Sequence, residues 1–194
     1  MPLGANKAAI MGVAGVSTGD VVLIQSQTAD GDSAISFTSG ITSTYGEYIF
    51  RLYNINPATD AKNFTFQVST DGGSNYNVSL VNTYFNAYHS EDDSSTSLGY
   101  STSMDQVGTA FQSLMEDIGS GADESGAGEL HLFNPSSTTY VKHWYGRFSH
   151  YYDANYAIDT FPAGYFNTTS AINAVQFKSE SGNFDGTIKL WGVK

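Results

Sequence analysis

Nineteen Asp and Glu and four His stand against only eight Lys and Arg in this 194-residue chain, which contains no cysteine. Thiol nucleophiles, thiolate metal sites and disulfides are therefore excluded, and carboxylates, imidazoles and aromatic rings are the side chains to weigh first. Paired carboxylates hydrolyse glycosidic bonds, and a β-sandwich can present two of them from adjacent strands. Glu47 and Glu129 stand at the starts of strand-like runs and Glu180 follows one, but nothing in their spacing pairs them. They read as edge carboxylates that keep a sheet soluble. His89, His131, His143 and His150 show no His-x-His or His-Glu-x-x-His spacing, so no metal ligand set emerges. The acidic cluster Glu91-Asp92-Asp93 and the pair Asp123-Glu124 carry the oxygens that calcium needs without the spacing of a known calcium loop, and read as solvated loops. Neither a cofactor nor a metal is expected.

Aromatic residues are the densest signal. Tyr140, Trp144, Tyr145, Phe148, Tyr151, Tyr152 and Tyr156 crowd one segment. Sugar rings stack on such faces, and Tyr beside Asn makes adaptable binding surfaces. A ligand-binding reading therefore takes Tyr140, Trp144, Tyr145, Tyr151, Tyr152, Asn155 and Tyr156 as its residues. The competing reading is core or subunit contact, because strand alternation sends Tyr140, Lys142, Trp144, Gly146 and Phe148 to one side.

The stretch Ser69-Thr70-Asp71-Gly72-Gly73-Ser74-Asn75-Tyr76 fits the Asp-box pattern Ser-x-Asp-x-Gly-x-x-aromatic of sialidases and other propeller enzymes. Sialidases grip a carboxylate with a cluster of arginines, whereas this chain has only Arg51 and Arg147, and the box occurs once. The stretch reads as a structural hairpin. Asp71 accepts backbone N–H groups, Gly72 and Gly73 take positive φ, and Tyr76 packs against the following strand. Nucleophile elbow, phosphate loop and dinucleotide fingerprint are absent, and the protein is expected to be no enzyme.

The elements that must position these residues are strands. Ten runs rich in β-branched and aromatic residues, separated by Gly, Asn, Asp, Ser and Pro, span residues 20–26, 34–38, 47–55, 63–69, 83–89, 129–134, 139–150, 164–168, 171–179 and 186–193. In one, Phe64, Phe66 and Val68 alternate with polar residues; in the last, Ile188 and Leu190 oppose Thr187, Lys189 and Trp191. One helix is predicted over 105–118, where Val107, Phe111, Leu114, Met115 and Ile118 follow helical spacing before Gly119. Residues 89–99 and 119–128 read as loops. The fold class is all-β: a jelly-roll-like antiparallel β-sandwich over 20–194, preceded by an arm over 1–19, with one short helix. Its predicted core is Phe64, Phe66, Val68, Leu132, Val175, Phe177, Ile188 and Leu190. The arm is expected to dock Leu3, Ile10, Met11 and Val13 on a neighbour.

A net charge of −11 opposes nucleic acid as a partner. The short, glycine-broken apolar run near the N-terminus suits neither a signal peptide nor a membrane span, so synthesis in a cytoplasm and no membrane insertion are expected. Three stretches carry a resemblance: Thr44-Tyr45-Gly46-Glu47-Tyr48 leading to Asn56-Pro57-Ala58-Thr59-Asp60, the Ser69–Tyr76 turn, and the closing Gly186-Thr187-Ile188-Lys189-Leu190-Trp191-Gly192. In this order they resemble small β-rich virion structural proteins of marine tailed bacteriophages, of the head-decoration or tail-fibre type. The resemblance implies a non-enzymatic virion surface protein, a capsid decoration or knob or a fibre component, located on the particle. The partners it implies are other virion proteins and further copies of itself, a homotrimer being favoured. The alternative is a glycan-binding receptor module of a tail fibre, with a host surface glycan as partner; a β-sandwich glycoside hydrolase is the third reading.

Overall fold

A computed structural model describes residues 20–194; the expected N-terminal arm lies outside the described residues. In chain order the strands are β1 (Val21–Asp32), β2 (Ile35–Phe37), β3 (Glu47–Pro57), β4 (Lys62–Ser69), β5 (Leu80–Ser90), β6 (Thr96–Tyr100), β7 (Val107–Gly108), β8 (Gln112–Ile118), β9 (Gly126–Phe133), β10 (Lys142–Tyr152), β11 (Tyr156–Phe166), β12 (Ala174–Ser179) and β13 (Phe184–Val193). All pairings are antiparallel. A long sheet runs β1-β13-β3-β9-β10-β11-β5, with β6 and β7 sharing the far edge of β5. A short sheet runs β8-β4-β12-β2, and a single pairing, Tyr152 with Ile118, joins the two. Every short-sheet strand is entered from the long sheet and left back to it. That alternation makes the jelly-roll-like sandwich.

The two sheets close on aromatic rings. Phe66 of β4 meets Trp144 of β10 edge to face at 4.9 Å, Phe64 meets Phe184 at 4.9 Å, and Phe177 of β12 meets Phe50 of β3 at 5.2 Å. Such tilted and edge-on pairs bring the positive rim of one ring to the negative face of another. All eight predicted core residues are buried here. The ring of Phe148 lies over Gly128 and Gly146, where an added Cβ at either position would collide with it. Glycine at these two strand positions is thus a packing requirement.

The predicted helix is a strand. Residues 112–118 form β8, which pairs with β4 across register shifts between Lys62 and Phe64 and between Phe64 and Thr65. Both faces of β8 are buried, so Leu114, Met115 and Ile118 show no period of two, and the shifts bring the apolar spacing close to that of a helix. The segment read as a loop over 89–99 is instead a hairpin, with β6 returning along β5.

The Asp-box stretch is a corner between sheets, since β4 pairs within the short sheet and β5 within the long one. Asp71 accepts from the Ser69 hydroxyl at 2.6 Å, the Asn75 N–H at 2.9 Å and the Asn75 amide at 2.7 Å. Gly72 and Gly73 take φ of 75° and 90°. Those bonds, the Ser69 hydroxyl first, hold the Asp71 carboxyl at about 2. Tyr76 packs beside Phe111, 6.5 Å between ring centres. This connection and the one from β7 to β8 cover the short sheet from outside, where the Gln67 amide donates to the carbonyl of Val78 in the first and to those of Thr109 and Ala110 in the second. Thr65, Gln67 and Ser69 are consequently buried. The long sheet keeps an outer face open to solvent.

Candidate functional site

Antiparallel register turns that outer face into rows of side chains lying side by side across the strands. One row reads Leu23, Trp191, Ile49, His131 and Tyr145, from β1 through β13, β3 and β9 to β10. The next row reads Ser26, Lys189, Arg51, Glu129 and Arg147 on the same strands. An apolar row therefore lies beside a charged one. Rings and charges interlock: Arg51 sits 5.9 Å over Trp191, Lys189 5.3 Å over Tyr53, and Arg147 5.1 Å over Phe161. Arg147 also holds Asp159 through both carboxylate oxygens, its Nη2 at 2.6 Å from one of them, and that carboxylate raises the guanidinium pKa further.

His131 occupies the middle of the face. Its Nδ1 lies 2.5 Å from Glu47 and its Nε2 3.3 Å from Glu129, which in turn lies 3.4 Å from Arg51. Tyr145 stacks flat on the imidazole, 4.6 Å between centres at 10°, and Phe133 continues the stack at 5.7 Å from Tyr145. Glu47 and Glu129, which no spacing in the sequence pairs, thus meet on one histidine because β3 and β9 are neighbours. Both ring nitrogens are engaged, so the imidazole offers no open position to take a proton from a substrate. Among the described residues no group of three or more His, Asp or Glu is placed to hold a metal ion.

The seven residues of the ligand-binding reading fall into separate places. Lys142, Trp144, Gly146, Phe148 and His150 point inward and alternate with exposed neighbours. Trp144, 2% exposed, is thereby withdrawn from any surface site; it packs between Phe66 and Phe166. Tyr140 does not join that inward row, because it precedes β10 in a loop and is 74% exposed. It borders an open hollow of about 720 Å³ at the end of the outer face, with Tyr45, Phe133, Asn134 and His143. Tyr145 is half-exposed above His131. Tyr151, Tyr152, Asn155 and Tyr156 lie at the opposite end of the strands, around the β10–β11 turn, where the Tyr151 hydroxyl donates to Asn155 at 2.7 Å. Sequence reasoning missed Tyr45 and Phe133 and weighed His143 only as a metal ligand; the one signal for this grouping is their position at or beside strand ends that adjacency brings together.

No family model, no curated protein and no solved structure matches this chain significantly.

Proposed function

We propose that the chain is a non-enzymatic bacteriophage virion surface protein, a capsid decoration or fibre component, that works by contact through the outer face of its long sheet. One observation carries this reading. The short sheet is roofed by its own connections, while the long sheet leaves Leu23, Tyr53, Tyr145, Phe85, Leu98 and Tyr100 exposed on one side. An apolar face of this breadth, interleaved with paired charges, has the composition of a protein contact surface. The chain carries a net charge of −11, yet Lys189, Arg51 and Arg147 gather here against Glu129, Glu47 and Asp159, a balance of sign that lowers like-charge repulsion between copies meeting on this face. A symmetric assembly, a trimer being favoured, fits a self-complementary patch, and the resemblance of the three sequence stretches points to a particle surface. Mass spectrometry of purified particles is expected to find the protein in stoichiometric amount, and Phe85→Asp with Leu98→Asp is expected to lower its occupancy. Absence from washed particles refutes the reading.

A second reading, a glycan-binding receptor module, is favoured by the hollow beside Tyr140. Exposed Tyr140 borders the hollow with Phe133, Asn134 and His143, and half-exposed Tyr145 stacks on Phe133 beside it, an arrangement of ring faces and neutral hydrogen-bonding groups that suits a sugar. Binding on a glycan array that Tyr140→Ala and Tyr145→Ala abolish, with the fold intact, favours this module over the contact surface.

A further inference from the structure

β8 lies against the inner face of β5 and β11, where Tyr84 and Thr160 donate to the Leu114 carbonyl. There a cavity of about 230 Å³ is lined by Asn86, Tyr88, Glu116, Tyr152, Tyr156 and Ile158. Three tyrosine rings form its walls: Tyr156 meets Tyr88 at 5.4 Å and 75°, and Tyr152 at 5.8 Å and 71°. Rings set at steep angles to one another enclose a volume from several sides, as the walls of a box do. Glu116 lies buried in the cavity wall, its Oε1 accepting a hydrogen bond from the Asn86 amide at 2.5 Å. All three tyrosines are half-buried, so the cavity reaches solvent.

The electrostatics point one way. Asp117 accepts from the Tyr152 hydroxyl at 3.3 Å, and Asp153 lies near enough to Asp117 to feel its charge. Among the described residues none of Glu116, Asp117 and Asp153 takes part in an ion pair. Burial raises the Glu116 and Asp153 pKa values, with the Asp117 charge adding to both. Burial also pushes the Tyr152 phenol up to about 12, the same carboxylates adding to it. An uncompensated negative field around a tyrosine-walled cavity disfavours anions and leaves neutral sugars without gain from the charge. It favours a cation that sheds its water readily and presents a large, soft surface to ring faces, which describes a methylated ammonium.

We propose that this cavity is a binding site for a small organic cation of the quaternary-ammonium class. The tyrosine faces hold the methyl groups, and Glu116 supplies the counter-charge. The volume admits a trimethylammonium head with a short tail. This site lies on the inner side of the long sheet and is independent of the outer contact face.

The test uses the full chain and choline chloride, with potassium chloride at equal ionic strength as the blank and 3,3-dimethylbutan-1-ol, the uncharged carbon isostere of choline, as the neutral control. Aromatic proton resonances of Tyr88, Tyr152 and Tyr156 are followed by NMR. Choline is expected to shift them saturably and to bind at least tenfold more tightly than the isostere. Tyr156→Leu, which keeps apolar volume and removes a ring, and Glu116→Gln, which keeps shape and removes charge, are each expected to weaken choline about tenfold while leaving the isostere unchanged. Co-sedimentation with phosphatidylcholine vesicles, competed by free choline, identifies a lipid headgroup as the source; no co-sedimentation identifies a free solute. Absence of any shift with choline, or equal binding of choline and its isostere, overturns the proposal. That comparison is made on the unaltered chain and stands even if a variant fails to fold.

Discussion

Acidification from neutral pH to about pH 4 should destabilise this protein through His150. The side chain is buried on the inner face of β10. Its Nε2 donates to the Glu116 carbonyl at 2.7 Å, while Nδ1 is enclosed without any partner. A second proton would create a buried N–H with no acceptor. Desolvation accordingly drops the pKa from its ordinary 6.5 to about 4, against smaller opposing effects of the Glu116 carbonyl and the Asp159 charge. Above pH 6.5 neither folded nor unfolded chain carries the proton, and stability is unaffected. Below it the unfolded chain takes up a proton that the folded chain refuses, so stability falls as pH falls, by about 1.4 kcal/mol per pH unit. Between pH 6.5 and 4 the loss accumulates to about 3 kcal/mol, a large part of the stability of a typical domain. Urea unfolding at a series of pH values, with wild type beside His150→Gln, measures it. Glu116 and Asp153 titrate in the opposite sense, because a carboxyl raised by burial gains stability as it is protonated, but both are present in each chain and cancel in the difference. The advantage of wild type over the variant should shrink by about 3 kcal/mol from pH 7 to pH 4. Parallel curves for the two proteins refute the reasoning.

Neighbouring aromatic residues should part company on truncation. Trp144→Ala, which empties the contact between the sheets, should cost about 3–5 kcal/mol in chemical denaturation, whereas Tyr145→Ala loses an exposed stack on His131 and should cost less than about 1.5 kcal/mol. Gly146→Ala drives a methyl group into the Phe148 ring and should destabilise by about 1–3 kcal/mol, seen as a lower Tm. The Asp71 carboxyl should titrate by NMR with a midpoint near about 2, and Ser69→Ala, which removes its first hydrogen-bond donor, should move that midpoint up. Since the folded value is depressed, the contribution of Asp71 to stability is present at neutral pH and lost as pH falls through about 2.

Much of the sandwich is legible in the sequence because its strands are mostly buried on one face. Ile188 and Leu190 announce a period of two, as do Phe64, Phe66 and Val68, whose strand is covered on both faces but carries polar Thr65, Gln67 and Ser69 on the second one, and every one of the ten predicted runs overlaps a strand. Legibility fails where the apolar and polar residues do not alternate. β8 is covered on both sides and shifted in register, so its apolar spacing imitates a helix. β6 carries Ser, Gly and Thr, and its two apolar residues, Leu98 and Tyr100, are both exposed, so it shows no buried apolar face. The first half of β11, Tyr156 to Ala163, was hidden by alternation interrupted at Pro162, which sits in a strand paired on both sides.

The candidate sites were less legible, for a reason that lies in the register of the strands. Composition shows that the segment from Tyr140 to Tyr156 is rich in rings, but the pleat divides those rings among surroundings that share nothing. Trp144 enters the core, Tyr145 turns out beside His131, and Tyr152 and Tyr156 wall the cavity that holds Glu116. Each ring acquires its partners from strands distant in sequence: Phe66 for Trp144, Ile49 and Glu47 for the His131 beneath Tyr145, Tyr88 for Tyr156. Glu47 and Glu129 show the same dependence, since only the adjacency of β3 and β9 places both on His131. A slip of β9 by one residue against β3 would turn His131 inward and Leu130 outward, abolishing the site while leaving the composition of both strands unchanged. The chemistry of the outer face therefore resides in the pairing of strands, and the inward anchors Leu130 and Leu132, which resist such a slip, are as much a condition of the face as the residues exposed on it.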